Sequence, residues 1–280
     1  MTPSHLPSTG GPDRPRIGLV VVDDGLYAHR WVASVLDQES IRPICVACLS
    51  PFRAVNLNPG GARGFWAVSR ARLAYYGRVA TLKFGWKAAG AVIGGLRFRL
   101  GLGGEPRSVA ALARARGIEV LRPARSDIDD PAFRSRLKGL RPDLLVCAFS
   151  QRANRDFLEV PRLGCLNVHF SRLPEHRGRE PLFHAMLAGH GAGVSVHWMA
   201  PRLDAGRIVL QEPLDATGHC TLHGLILAAC DLAARVVPAA IERAIAGPPA
   251  ETDTGPVPPM AGWPGRAEVA RFRSRGFRFV

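Results

Sequence analysis

Short apolar runs alternate with segments of helical periodicity along most of this chain, and that alternation restricts the fold more than any other feature. Residues 16–22 (RIGLVVV) are apolar and rich in β-branched side chains, which predicts a buried parallel strand. Residues 27–38 have apolar side chains at helical spacing, and residues 41–49 predict a second strand. A strand, a helix and a second strand in this order predict an α/β fold with a doubly wound, mostly parallel sheet.

The alternation resumes after residue 105 and continues to residue 247. Ser108 is the expected N-cap of one helix, and the pair Asp130-Pro131 opens another. The later elements are helices at 108–116, 130–139, 152–158, 180–187 and 221–246, with strands at 118–121, 144–149, 164–169, 194–199 and 207–211. We therefore expect one domain at residues 16–247, preceded by a disordered tail at 1–15 and followed by a linker and basic tail at 248–280.

A basic, aromatic insertion interrupts the pattern at residues 51–105. Between residues 40 and 104 the chain has ten Arg or Lys residues and no Asp or Glu, within a protein of net charge +14. Residues 65–100 mix aromatic and basic side chains at roughly helical intervals, which predicts two or three basic amphipathic helices. The first interpretation is a helical cap with a solvated arginine face. The second is contact with an anionic membrane surface through residues 63–100, and contact with nucleic acid is the least favoured.

The cysteines and apolar runs indicate the compartment. Residues 1–15 have no apolar core of the kind that a secretory signal needs, and no uninterrupted apolar run reaches about 18 residues. Six cysteines lie mainly in apolar segments, so we expect reduced thiols in a cytoplasmic protein, with membrane association as the variant that the insertion suggests. Cys45 and Cys48 have CxxC spacing without a second pair, and we expect no metal site.

Polar side chains recur at every second position near the end of the predicted strand at 164–169. Asn167, His169 and Ser171 would share one face of an extended chain, at the point where the strand meets solvent. Pro174 then ends the regular ladder because it has no N–H to donate. Since the carboxyl ends of strands in open α/β sheets form ligand crevices, we expect the active centre here.

A carboxylate on a later loop, Asp204, is the expected partner of these residues. A carboxylate fixes the tautomer of a histidine and stabilises its cation, while an amide N–H donates to an oxyanion without changing protonation. Together these groups suit a tetrahedral intermediate of acyl or one-carbon transfer, with hydrolysis as the variant in which water attacks. Spacing alone leaves a plainer alternative open, in which His169 is a structural histidine and 204–206 is only a turn.

The pattern Asn-x-His-x-Ser-x-Leu-Pro-x-x-Arg-Gly at 167–178 has two companions, Gly-Val-Ser-Val-His at 193–197 and Leu-Asp-x-Gly-x-Ile-x-x-Gln at 203–211. Together they resemble the folate-dependent formyltransferase family, which includes methionyl-tRNA, glycinamide ribonucleotide and nucleotide-sugar formyltransferases and a formyl-tetrahydrofolate hydrolase. The resemblance implies a Rossmann-like fold, 10-formyltetrahydrofolate as co-substrate, and Asn167, His169 and Asp204 as catalytic residues. It also implies folate contacts from Phe149, Ser150, Gln151, Arg152 and Leu203.

Departures from the family pattern bear on the acceptor. Arg172 replaces the usual Leu beside the site, and with Ser171 and Arg177 it is expected to bind the acceptor. Asp23-Asp24 replaces the glycine-rich phosphate turn of the glycinamide ribonucleotide enzymes, and residues after 247 are too few for the β-barrel of the transfer-RNA enzymes. The expectation is therefore formyl transfer to the amine of a small acceptor, an amino sugar or nucleotide sugar, without nucleic acid. The alternatives are a 10-formyltetrahydrofolate hydrolase and an RNA- or membrane-binding protein on this scaffold; the oligomeric state stays open.

Overall fold

The computed structural model describes residues 14–51, 65–103, 106–247 and 258–280. The predicted disordered tail, apart from its last two residues, and most of the predicted linker fall outside these ranges. The strands are β1 (Arg16–Val22), β2 (Arg42–Leu49), β3 (Glu119–Leu121), β4 (Leu144–Ala148), β5 (Gly164–His169), β6 (Gly193–Trp198) and β7 (Ile208–Pro213). The helices are α1 (Ala28–Leu36), α2 (Phe65–Tyr76), α3 (Arg78–Arg99), α4 (Val109–Ala115), α5 (Pro131–Gly139), α6 (Arg155–Leu158), α7 (Pro181–Ala188), α8 (Leu222–Ala246) and α9 (Arg266–Ser274).

The strands form one sheet in the order β3-β2-β1-β4-β5-β6-β7. Strands β1 to β5 are parallel to their neighbours, whereas β6 runs antiparallel to β5 and β7 antiparallel to β6. The predicted doubly wound, mostly parallel sheet is confirmed. The chain builds outward from β1 to β3 and then crosses back to β4, so the order reverses between β1 and β4. Ligands bind at such a switch point, beyond the carboxyl ends of the strands.

Helix starts follow the predicted capping residues. The Ser108 hydroxyl accepts a hydrogen bond from the Ala111 N–H at 3.1 Å, which satisfies one of the open donors of α4. The Asp130 carboxylate does the same for Ala132 at 3.3 Å, with Pro131 in the first turn of α5. Local capping chemistry therefore fixed these boundaries, and the remaining predicted elements differ from the observed ones by only a few residues.

Two apolar cores lie on the two faces of the sheet. The larger contains α1, α7, α8 and α9, and the smaller contains Phe133, Leu137 and Phe157 of α5 and α6. Cys45 belongs to the smaller core and Cys48 to the larger, because residues three apart on a strand point to opposite faces. Burial raises the pKa of both thiols to about 12. Since the thiolate is the form that binds metals and reacts, this pair is suited to packing.

Helix α8 is long and apolar enough to cross a membrane by length and composition. Half of its most apolar window is buried inside the domain, and Leu225, Ala229, Ala233 and Val237 are fully covered. The helix packs against α1 and against β6 and β7. These contacts are those of a central helix in a packed core, which passes the same composition test.

The carboxyl-terminal segment, predicted as a linker and basic tail, contains α9 and packs onto the larger core. Phe272 of α9 is fully buried and stacks on Phe183 of α7 with ring centroids 4.6 Å apart. Phe279 is also buried and contacts the same aromatic group. The apolar side chains of this stretch alternate with arginines that face solvent. The segment therefore has a buried apolar face, which its basic composition did not predict.

The insertion contains two helices in its described part, α2 and α3, in agreement with the prediction. Tyr75 of α2 is buried against Trp263 and Phe279, and Phe84 of α3 packs on Tyr76. The prediction of basic amphipathic helices, with arginines on the solvated face, is wrong in one respect. Large apolar side chains also lie on the outer surface of α3, where Trp86 is 83% exposed.

Candidate functional site

Strand β5 carries Asn167 and His169 on one face at the carboxyl end of the sheet. Both side chains are buried, although the sequence predicted that they would meet solvent. The antiparallel partner β6 covers them, with Asn167 opposite His197 and His169 opposite Ser195. Ser171 lies in the turn after β5, where its hydroxyl donates to the Glu175 carbonyl oxygen at 2.9 Å. The strand face therefore ends at His169, and Ser171 stabilises the turn.

Asp204 reaches the end of β5 from the loop between β6 and β7. Its backbone has φ 47°, a left-handed conformation that requires support from its surroundings. The neighbouring Gly206 provides part of that support, because a Cβ at this position would overlap the Trp198 carbonyl oxygen. The backbone N–H of Gly178 donates to Asp204 Oδ2 at 3.0 Å. The loop thus delivers a fixed carboxylate to the strand end.

Arg177 stabilises the same loop by donating hydrogen bonds to its backbone. Its Nε donates to the Asp204 carbonyl oxygen at 3.0 Å, its Nη2 donates to the Leu203 carbonyl oxygen, and its Nη1 donates to the Pro258 carbonyl oxygen at 2.6 Å. The guanidinium is almost fully buried. Removal from water lowers the pKa of Arg177, and the nearby Asp204 charge opposes that shift. Each of its three nitrogens donates to a different carbonyl oxygen, in a fixed planar geometry that a compact ammonium group does not have.

The amide of Asn167 joins two of these elements. Its Nδ2 lies 3.1 Å from His197 Nε2 and donates to Asp204 Oδ1 at 3.3 Å. His197 Nδ1 lies 2.9 Å from the Trp198 carbonyl oxygen. Because a carbonyl oxygen only accepts, Nδ1 of His197 carries the hydrogen and Nε2 is left as the acceptor for Asn167. This chain of hydrogen bonds determines which end of the amide faces His197 and Asp204.

His197 is neutral at physiological pH. Burial lowers its pKa to about 4, since the imidazolium form is removed from water, and the Asp204 carboxylate only partly offsets that effect. The motif at 193–197 contained this histidine, but no role was predicted for it. Its significance depends on the antiparallel pairing of β5 with β6, which the sequence alone does not show.

His169 has its two ring nitrogens in different environments. Nε2 lies 3.2 Å from the His176 carbonyl oxygen, so this nitrogen carries a hydrogen. Nδ1 lies 3.8 Å from Asp204 Oδ1, which is too long for a hydrogen bond but close enough to stabilise a positive imidazolium. In the neutral ring, Nδ1 is therefore the basic atom, and it stands beside a carboxylate.

A cavity of about 470 Å³ contains this group of side chains. Asn167, His169 and Asp204 line it together with Phe149, Ser150 and Leu203. The rest of the lining includes residues of α1, α8, the start of α7 and the segment at 260–263. The volume lies in the range of small-molecule sites, which is about 300–1,000 Å³. Asn167, His169 and Asp204 thus belong to the lining of one cavity of small-molecule size.

The cavity wall near β1 has a carboxylate where a phosphate would need donors. Asp24 Oδ1 accepts from the N–H groups of Leu26 and Tyr27 at 2.8 Å each, and from Ala28 at 3.4 Å. Burial raises the pKa of Asp24, while these hydrogen bonds act in the opposite direction. The N–H groups just before α1 and at its first residue are therefore occupied by the chain's own carboxylate, which supports the prediction against a phosphate at this turn.

The predicted folate contacts separate into two groups. Phe149, Ser150 and Leu203 line the cavity. Gln151 is buried behind it, where its amide nitrogen donates to the Ser126 carbonyl oxygen at 2.6 Å and its amide oxygen accepts from the Ile128 N–H at 3.2 Å. The Arg152 Nε donates to the Pro201 carbonyl oxygen at 3.2 Å. These last two side chains shape the cavity by holding the loops after β4 and β6.

None of the three predicted acceptor-binding residues lines the described part of the cavity. Ser171 and Arg177 have the structural partners given above. The side chain of Arg172 extends over Gly193 at the other end of β6, and its backbone N–H donates to the Gly191 carbonyl oxygen. The cation that does line the cavity is Arg179, which follows the motif by one residue and was not predicted.

Outside the cavity, Glu175, His176 and His190 place one potential metal-ligand atom each within 4.8 Å of one another. His190 Nδ1 lies 3.1 Å from Glu175 Oε2, and His176 Nε2 lies 2.9 Å from the His190 carbonyl oxygen. The His190 ring is thus paired with the Glu175 carboxylate, and the His176 ring is bonded to the backbone of His190. Direct hydrogen bonds are sufficient to explain their proximity.

The fold and the site define an α/β protein with a ligand cavity at its topological switch point, where an amide, an imidazole and a carboxylate converge. Residues 105–241 match the family model described as formyl transferase, so this segment of the chain is similar to that family. Proteins of that family use 10-formyltetrahydrofolate as formyl donor. The matched segment contains Asn167, His169, Asp204 and His197.

The chain is similar to curated relatives over part of its length. It is 42% identical over 118 residues to the methionyl-tRNA formyltransferase of Moorella thermoacetica and 41% identical over 142 residues to that of Macrococcus caseolyticus. The alignments cover 41% and 49% of this chain, and the chain spans only 37% and 45% of the two relatives. These names do not support the prediction that nucleic acid is the least favoured partner.

Solved structures share the fold over most of the chain. The glycinamide ribonucleotide transformylase 1 of Symbiobacterium toebii has a TM-score of 0.53 at 21% identity, covering 85% of this chain and 90% of that one. A formyltetrahydrofolate deformylase from Pseudomonas syringae pv. tomato has a TM-score of 0.52 at 18% identity, covering 81% of this chain and 60% of that one. At these identities the similarity establishes the architecture alone.

Proposed function

We propose that the protein transfers the formyl group of 10-formyltetrahydrofolate to the amine of an acceptor. The observation that carries this proposal is the convergence of Asn167, His169 and Asp204 on one cavity, within the segment that matches the formyl transferase model. The side of the cavity formed by Phe149, Ser150 and Leu203 would take the folate ring system. The side formed by α1, α8 and residues 260–263 would take the acceptor.

In this mechanism the acceptor nitrogen attacks the formyl carbon, and the carbonyl oxygen becomes an oxyanion. The Asn167 amide nitrogen is the donor for that oxyanion. Both hydrogens of this amide already have partners. The longer hydrogen bond, 3.3 Å to Asp204, is therefore replaced by one to the formyl oxygen as negative charge develops on that oxygen. His197 retains its bond to Asn167 and keeps the amide in place.

Proton transfer is assigned to His169 and Asp204. The attacking amine becomes positively charged, and Nδ1 of His169 accepts a proton from it. The carboxylate of Asp204, 3.8 Å away, stabilises the resulting imidazolium. When the tetrahedral intermediate collapses, the C–N bond to tetrahydrofolate breaks and the same proton goes to the departing nitrogen. The products are the formylated amine and tetrahydrofolate.

A small amine is the proposed acceptor, in the class of amino sugars and nucleotide sugars. The acceptor side of the cavity includes Asp24 and Glu180, and carboxylates attract an ammonium group. Arg179 offers one positive charge in the same wall for an acidic substituent elsewhere on the acceptor. The reaction is placed in the cytoplasm, as the sequence predicted.

Methionyl-tRNA is a second candidate acceptor, because the curated relatives that are 41–42% identical carry that name. The basic insertion supports it through charge alone. A third candidate is hydrolysis, in which water occupies the acceptor side. The same three residues would serve all of these reactions, so the acceptor must be determined by assay.

The test is to incubate the protein with 10-formyltetrahydrofolate and measure tetrahydrofolate release, alone, with a panel of amino sugars and with methionyl-tRNA. Release that requires an amino sugar supports the proposal, release that requires methionyl-tRNA supports the second candidate, and release without acceptor supports hydrolysis. Asn167→Ala and His169→Ala should lower turnover by about 100-fold or more while the fold is retained. His219→Ala, a histidine outside the cavity lining, is the matched control. An absence of folate binding would disprove the enzymatic interpretation.

A further inference from the structure

Helix α3 exposes a continuous stripe of large apolar side chains. Val79, Leu82, Trp86 and Ile93 are spaced so that they fall within a sector of about 60° on the helix. Leu82 is 73% exposed and Trp86 is 83% exposed. Leu96 and Leu100 extend the same stripe to the end of the helix. Exposed apolar patches of this extent mark contact surfaces rather than ordinary solvated faces.

The orientation of α3 is determined by its opposite face. Phe84 packs on Tyr76 with ring centroids 5.2 Å apart and edge-on against His223 at 6.1 Å. His223 in turn lies 2.8 Å from the Tyr27 hydroxyl, and Tyr27 lines the cavity. The apolar stripe therefore cannot turn inward without losing these contacts. The same contacts connect α3 to the acceptor side of the site.

The charge around the stripe has one sign. Arg78, Lys83, Lys87 and Arg97 lie on α3, and there is no acidic residue between positions 40 and 104. Lys83 and Lys87 are one turn apart and flank the stripe on the side towards the packed face. Two lysines beside the apolar stripe, with Arg78 and Arg97 near its two ends, complement a surface that is negatively charged outside and apolar beneath.

We propose that α3 docks on an anionic lipid bilayer, lying in the plane of the interface. Its 22 residues extend over about 33 Å, and the stripe would insert among the acyl chains while the basic side chains meet lipid phosphates. Trp86 has the residue type that prefers the headgroup level. A nucleic acid would use the charges but would leave the aliphatic side chains in water, and this favours lipid.

The test is sedimentation of the purified protein with vesicles of phosphatidylglycerol and phosphatidylcholine, compared with phosphatidylcholine alone. Binding should require the anionic lipid and should weaken as salt is raised. The tryptophan emission should shift to the blue on binding, and Trp86→Phe should remove most of that shift. Leu82→Ser combined with Trp86→Ser should reduce binding by about tenfold or more. Lys87→Glu should reduce it about fivefold, and Lys138→Glu on α5 is the matched control that should leave it unchanged.

Three results would overturn the proposal. One is equal binding to neutral and anionic vesicles, or none to either. Another is a dimer that forms in solution and is lost in the Leu82 and Trp86 variant, with no vesicle binding. The third is binding to transfer RNA that responds to Lys87→Glu, again without vesicle binding. The lipid proposal does not depend on the proposed function. As a separate control, tetrahydrofolate release by these α3 variants, measured without vesicles, should equal that of the unaltered protein.

Discussion

The Asn167 amide nitrogen lies 3.1 Å from Nε2 of His197, directly across the antiparallel pair of β5 and β6. The Trp198 carbonyl oxygen fixes the tautomer of His197, so this ring is an acceptor aimed at the amide. The proposed oxyanion donor is thus positioned by a neutral, buried histidine that does not itself line the cavity.

Replacing His197 tests that positioning role. His197→Phe removes the acceptor and lets the amide turn, so kcat should fall by about 10- to 100-fold with a smaller change in KM. His197→Gln, which retains an acceptor, should restore part of the loss. Steady-state kinetics with whichever acceptor supports tetrahydrofolate release would measure both. Equal kcat values for the two variants would argue that the histidine only fills space.

The low pKa of His197 also makes a prediction for stability. In the unfolded chain a histidine titrates near pH 6.5, whereas in the folded protein the pKa of His197 is about 4. Between these values the unfolded state binds a proton that the native state does not, so stability falls as pH falls from 6.5 to 4. The loss attributable to this residue is about 3 kcal/mol. Urea unfolding of wild type and of His197→Gln should be compared at several pH values. The free energy of unfolding of wild type should fall more steeply as pH falls, because glutamine does not titrate. Parallel curves would contradict this prediction.

Arg177 is predicted to act through the loop that it holds. Arg177→Lys keeps the charge but loses the fork that contacts three carbonyl oxygens, so Asp204 should be less well positioned. We expect kcat/KM to fall by about tenfold or more, together with a lower melting temperature. Arg155→Lys, in an exposed ion pair on α6, is the control with the same chemical change. An unchanged kcat/KM for Arg177→Lys would show that Arg177 does not position Asp204.

Asp24 is predicted to keep anions away from the start of α1. Asp24→Ala frees the N–H groups of Leu26 and Tyr27, at a loss of about 1 kcal/mol of stability. Inorganic phosphate should then raise the melting temperature of the variant but not of the unaltered protein. Asp130→Ala removes another carboxylate that accepts from backbone N–H groups, at the start of α5, and should lower stability without any response to phosphate. A phosphate response in wild type would refute the idea.

Local signals were sufficient for most of the fold. Ser108 and Asp130 cap helices as predicted, because an N-cap needs only its own neighbouring N–H groups. The bounds of the strand at 164–169 were also predicted correctly, because its apolar composition and the turn that follows it are both local features of the sequence. Long-range partners did not follow from spacing. Asp231 of α8, for example, pairs with Arg30 of α1, about 200 residues away in the chain.

The α/β order of elements, their capped boundaries and the chemical types at the end of β5 could be predicted, since each is encoded by residues close together in the chain. The tertiary structure decided that Asn167 and His169 are covered, that His197 orients the amide, and that Arg177 holds a loop. It also decided that Phe272 lies in the core while the apolar side of α3 faces out. These outcomes depend on which distant surfaces meet, and the burial of each side chain follows from that contact rather than from its neighbours in sequence.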